Sequence, residues 1–152
     1  MKKSSVPQNV LIIDSDYDEA SGFIKGLQEI TQEKWKVALY ENNKIYGIRR
    51  YIKFFTVALK TILSASEYEG KTVLCWQQFY GIAIAFYSRL FHLKKKYRLV
   101  IMTFIYKQKR GLLGKIFYHF VKYAITSQYV DKIILTTQSE NQMYKNILVM
   151  DE

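Results

Sequence analysis

Hydrophobic positions along the chain gather into five short bursts, at residues 10–13, 37–40, 72–76, 99–103 and 133–136. Between neighbouring bursts the chain is long enough for a helix. Continuous Val/Ile/Leu runs alternating with helical stretches predict parallel strands buried on both faces, because the crossover helices cover each side of the sheet. The expected fold is α/β, a Rossmann-like three-layer α/β/α domain with a mainly parallel sheet of about five strands. Such sheets hold ligands in the crevice beyond the strand C-termini, so the residues after each burst are where chemistry is expected.

Two of the intervening stretches carry a helical period with a second pattern on it. In residues 44–63, Ile45, Ile48, Ile52, Phe55, Leu59 and Ile62 recur at three- and four-residue spacing, while Arg49, Lys53, Thr56 and Lys60 form a separate stripe. Residues 111–125 repeat the design. There Leu112, Leu113, Ile116, Phe117, Phe120, Val121 and Ile125 are apolar, Lys115, His119 and Lys122 lie on another line, and Lys107, Lys109 and Arg110 lead in. One side of each helix is expected to pack and the other to be basic.

Charge sharpens this picture. The net charge is +10, and from Lys44 to Val130 the basic residues are opposed only by Glu67 and Glu69. Before that region Asp14, Asp16, Asp18, Glu19, Glu29, Glu33 and Glu41 outnumber the lysines, so the excess is local and forms one field attracting phosphates. Basic amphipathic helices with aromatic residues are what peripheral proteins lay against anionic headgroups. Arg49, Arg50, Lys53, Lys60, Lys107, Lys109, Arg110, Lys115 and Lys122 are the expected membrane-binding residues. The plainer alternative is that the apolar stripes cover the sheet and the lysines are simply solvated.

Composition and motifs exclude more than they assign. With 152 residues, 49% hydrophobic and 16% aromatic, the chain is too apolar for disorder and reads as one domain over 1–152. Its single cysteine, Cys75, lies inside the third burst, which fits a reducing, cytoplasmic setting and leaves no disulfide framework or metal-ligand spacing. Residues 1–7 lack the apolar core of a signal peptide, and the longest uncharged run, 78–88, is too short to span a bilayer of roughly 30 Å. No glycine-rich phosphate loop follows the first burst. Instead the turn carries Asp14, Asp16, Asp18 and Glu19, which would repel a pyrophosphate. His92 and His119 stand alone, no Ser/His/Asp set can be assembled, and neither metal nor cofactor is implied. Asp14 and Asp16 could suggest a receiver domain, but Cys75, Trp76 and Gln77 stand where its acceptor aspartate would be.

The order of segments resembles the N-terminal half of GT-B glycosyltransferases of the family 4 type. The features are the first burst, Ser21-Gly22 opening a helix with Leu27 near its end, a strand at residues 35–39, and residues 72–78 leading into an apolar helix. Later come Arg98-Leu99-Val100-Ile101-Met102-Thr103, a long helix, and residues 130–140 with Tyr144 as an aspartate, apolar run and serine before a last helix. The resemblance runs from Val10 to Leu148. Two departures accompany it: the family's histidines are replaced by Trp76-Gln77 and Phe104-Ile105-Tyr106, and the sequence stops at Glu152, near where the family's donor-binding half would begin.

The resemblance implies an acceptor-binding, membrane-associated domain for polysaccharide or glycolipid synthesis, peripheral at the inner membrane face. It implies a lipid-linked sugar acceptor and a donor domain on a separate chain, with a second copy of this chain as another possible partner. Asp14, Asp16, Ser21 and Gly22 would border the cleft, Trp76, Gln77, Gln78 and Tyr80 would offer a stacking surface and hydrogen bonds to sugar hydroxyls, and Thr137, Ser139 and Glu140 would close it. No catalytic residue is assigned. Each has a structural alternative, such as Asp16 or Asp18 as a helix cap, Trp76 as core filler and Ser139 as a cap. Two other classes stay open: a non-catalytic recruiting subunit, and a basic nucleic-acid-binding domain, for which no RNP, KH or helix-turn-helix pattern is present.

Overall fold

A computed structural model describes residues 6–14, 17–40, 47–107 and 110–135, together with Glu140 and Tyr144. Asp16, Lys109, Thr137 and Ser139 lie outside the described residues. The chain alternates strand and helix: β1 (Asn9–Ile13), α1 (Tyr17–Thr31), β2 (Trp35–Leu39), α2 (Ile48–Leu63), β3 (Thr72–Cys75), α3 (Gln78–Leu90), β4 (Arg98–Ile101), α4 (Gly111–Ile125) and β5 (Val130–Ile133). A short 3-10 turn, Ala65–Tyr68, joins α2 to β3.

All strand pairs are parallel, in the order β2-β1-β3-β4-β5. The path from β2 to β3 therefore crosses β1, and the order reverses between β1 and β3. At such a switch point the outgoing helices diverge to opposite faces and leave a crevice at the strand C-termini. Alternation along the strands divides the core in two. Val10, Ile12, Val73, Cys75, Leu99 and Ile101 face α2, α3 and α4, while Leu11, Ile13 and Leu74 pack with Ala20 and Ile24 of α1. Helices thus lie on both faces of the sheet, as the hydrophobic rhythm predicts for a three-layer domain.

Helix α3 is the keystone of the thicker layer, with α2 on one side and α4 on the other. It sits so close to the sheet that a Cβ built on Gly81 would lie 2.5 Å from Ile101 Cγ1. Burial of the Cys75 thiol in the same contact pushes its pKa up, which keeps it protonated and unreactive. Arg89 ties α3 to α4 by donating to the Tyr123 carbonyl at 2.6 Å while its guanidinium stacks on the Tyr123 ring.

The fifth strand lies three residues earlier than the hydrophobic burst predicts. A bulge between Leu99 and Val100 in the β4 pairing admits Asp131, whose carboxylate accepts from the Leu99 N–H at 2.8 Å and from Lys95 Nζ at 2.8 Å. Among the described residues β5 ends the sheet, so it can carry the exposed Asp131 and Lys132 without a continuous apolar run.

Candidate functional site

The crevice at the strand C-termini is built by two loops that lock each other. Thr103 follows β4 in a left-handed conformation, φ 48°, uncommon for a β-branched residue, and its hydroxyl donates to the Trp76 carbonyl at 2.5 Å. Gln78, buried at the start of α3, donates through Nε2 to the Ile105 carbonyl at 2.9 Å and accepts the Ile105 N–H through Oε1 at 2.8 Å. The backbone of Tyr106 is held in turn, donating to the Tyr144 hydroxyl at 3.1 Å. These bonds satisfy the polar groups of a segment with no strand or helix of its own. Their product is a pocket of about 500 Å³ lined by Gln77, Gln78, Phe79, Thr103, Ile105, Lys107 and Phe117.

At the switch point itself, Asp14 directly follows β1 with its side chain only 9% exposed, and Arg50 from the first turn of α2 reaches its Oδ2 at 3.5 Å. The same guanidinium lies over the Phe54 ring. Arg50, expected at a headgroup, thus has its charge shared with a carboxylate of the crevice. Tyr80 is wholly buried, and among the described residues its hydroxyl finds no hydrogen-bond partner. Its pKa is raised chiefly by burial, then by the Asp14 carboxylate. Tyr80 therefore cannot serve as a stacking surface: its ring packs edge-on to Phe54 inside the core.

The other sequence-derived candidates are scattered. Trp76 is half-buried on the α1 side, edge-to-face with Phe23 at 4.7 Å, and Gln77 caps α3 by accepting from the Gln78 N–H at 3.1 Å while lining the pocket. Ser21 and Gly22 do not open α1, which begins at Tyr17, but lie exposed within it, and Glu140 is half-buried. Asp14 and the Gln77/Gln78 pair thus share the strand ends, and Gln78 is already committed to the neighbouring loop. Among the described residues no cluster of metal-ligating side chains exists.

The largest departure from the sequence reading concerns α2 and α4. Phe54, Val57, Ala58 and Thr61 of α2 and Gly114, Val121, Ala124 and Ile125 of α4 are buried, and Phe55, Ile62, Phe117 and Phe120 of the expected stripes pack partly buried against the same core. Ile48, Ile52 and Leu59, which the period assigns to the packed side, are exposed, as are Leu112, Leu113 and Ile116. Leu113 is 80% exposed and Ile48 75%. Small residues give the clue, since Ala58 and Ala124 sit wholly buried in the core cluster while the bulky aliphatics flank them.

Both helices begin without help from their own side chains. Gly47 and Arg110 provide no capping bond, and neither first turn holds an acid. Because each helix follows a strand, these starts lie at the crevice end of the sheet. Between them runs a trough of about 350 Å³ lined by Tyr51, Phe54, Phe55, Phe79, Leu113, Ile116, Phe117 and Phe120. Phe79 and Phe117 also line the polar pocket, so the two spaces adjoin. Arg49, Lys60, Lys107, Arg110 and Lys115 are exposed on the surrounding surface, Lys53 is half-buried, and Lys122 lies against the Tyr118 ring. Among the described residues no helix is long and apolar enough to cross a membrane.

No family model, curated sequence or solved structure matches the chain.

Proposed function

We propose that this domain binds a lipid-linked sugar acceptor at an anionic membrane surface, as the acceptor-side half of a GT-B-type glycosyltransferase. One observation carries the reading. The pocket at the ends of β3 and β4 opens beside a face that exposes both basic residues and large aliphatic ones. A cleft that takes a sugar and a face that enters a leaflet would then be presented together. Exposed apolar clusters rimmed by charge mark interaction sites, and basic residues beside them favour anionic headgroups by roughly 1 kcal/mol each near the surface.

Within the pocket, Gln77 and Thr103 are the side chains suited to sugar hydroxyls, and Lys107 to a phosphate linking sugar to lipid. The acidic turn after β1 suits hydroxyl groups better than a donor pyrophosphate. The reading is tested by offering the chain vesicles with and without phosphatidylglycerol, a lipid-linked sugar, a nucleotide sugar and a short RNA. Salt-sensitive binding to the anionic vesicles, with amide shifts near Gln77 and Thr103 on adding the lipid-linked sugar, is the expected result. Micromolar binding of the nucleotide sugar, or tighter binding of RNA than of vesicles at physiological salt, would overturn it.

A further inference from the structure

Resting on that reading, we infer that the trough between α2 and α4 receives the hydrocarbon chain of a single phosphate-bearing lipid, with its phosphate beside Lys107 in the adjoining pocket. The trough floor is a row of rings. Tyr51 and Phe79 lie 5.8 Å apart, Phe79 and Phe117 6.3 Å, and Phe79 stacks with Phe54 at 5.4 Å. A ring-floored concavity gives a flexible chain close contact along its length, whereas a flat bilayer surface would touch only the rim. That rim is formed by the exposed Leu113 and Ile116, so a chain can slide from leaflet to trough without crossing water.

Charge selects the occupant. From Thr103 to Ile125 the chain has no acid, and Lys107, Arg110 and Lys115 are exposed, so an anionic head is favoured at the polar end. A second copy seated on the trough would bring two such basic rims together, which like-charge repulsion opposes. The order of spaces, a cation-bearing pocket leading into an apolar trough, matches a molecule whose phosphate is joined directly to a long chain.

The test uses dodecyl phosphate below its micellar concentration, titrated into the chain by calorimetry. Saturable one-to-one binding is expected, weakening about fourfold per methylene removed along a series down to butyl phosphate. Lys107→Ala should weaken dodecyl phosphate severalfold and leave dodecanol unchanged, and Leu113→Trp, which fills the trough from an exposed position, should weaken both. Binding that ignores chain length in the unmodified chain overturns the inference, as does a dimer that masks the trough in sedimentation. If phosphatidylglycerol vesicles still bind while dodecyl phosphate does not, the lipid-chain inference fails and the membrane reading stands. If neither binds, both fail.

Discussion

Helices α3 and α4 are equally rich in apolar residues and meet opposite fates. In α3 the run from Tyr80 to Ala85 is buried throughout, because the helix is wedged between α2, α4 and the sheet. In α4 only Gly114, Val121, Ala124 and Ile125 are buried, and Leu112, Leu113 and Ile116 stand in solvent. Apolarity in α3 is accounted for by the fold. In α4 and along the outer side of α2 it is not, and that surplus is what directs attention to a lipid partner.

The sharpest way to break the comparison is to truncate an aliphatic residue in each helix. Ile84, with no exposed area, should cost about 2–5 kcal/mol on Ile84→Ala, read as a lowered denaturant midpoint. A smaller loss is expected from Gly81→Ala. The added methyl would press on buried Ile101, and overpacking of about 1–3 kcal/mol should exceed the roughly 1 kcal/mol that alanine gains over glycine in a helix. Ile101→Ala is itself destabilising, but because it removes the clash the double variant should lose less than the sum of the two single losses, a non-additivity visible in a double-mutant cycle.

Alkali probes the same packed layer. Tyr80 and Tyr97 both have pKa values raised above 10.0, mainly by burial. The unfolded chain releases these protons first, so the stabilisation is fully present below about pH 10 and is lost as pH rises toward the folded values. Denaturation followed from pH 8 to 12 should show that fall, and Tyr97→Phe should flatten it. At the small end, Leu113→Ser on α4 should change stability by no more than about 0.5 kcal/mol while weakening binding to anionic vesicles severalfold. A large stability loss there would make α4 a core helix like α3.

The fold was legible because a parallel sheet leaves a direct imprint: Val10 to Ile13 and Val73 to Cys75 must be apolar on both faces. An edge strand has no such obligation, which is why β5 at Val130–Ile133 was displaced from the apolar burst. The site was less legible. Asp14 and Gln77 could be placed from their positions after strands, but the Gln78 clamp on Ile105 spans 27 residues and depends on a loop conformation that no period encodes. The pairing of Arg50 with Asp14 was hidden because a cluster of basic residues reads as one membrane-facing surface, although Arg50 lies off the Arg49/Lys53/Lys60 stripe and reaches back to the end of β1.

The bulge at Asp131 has a consequence for assembly. A regular outer strand presents a row of free N–H and C=O groups onto which another chain can add, the route to fibres and swapped sheets. Among the described residues β5 is an end strand, and there Asp131 interrupts the regular register with its carboxylate held by the Leu99 N–H and Lys95, while exposed Lys132 stands beside it as a charged gatekeeper. Growth of the sheet from one molecule into the next is thereby discouraged on the β5 side.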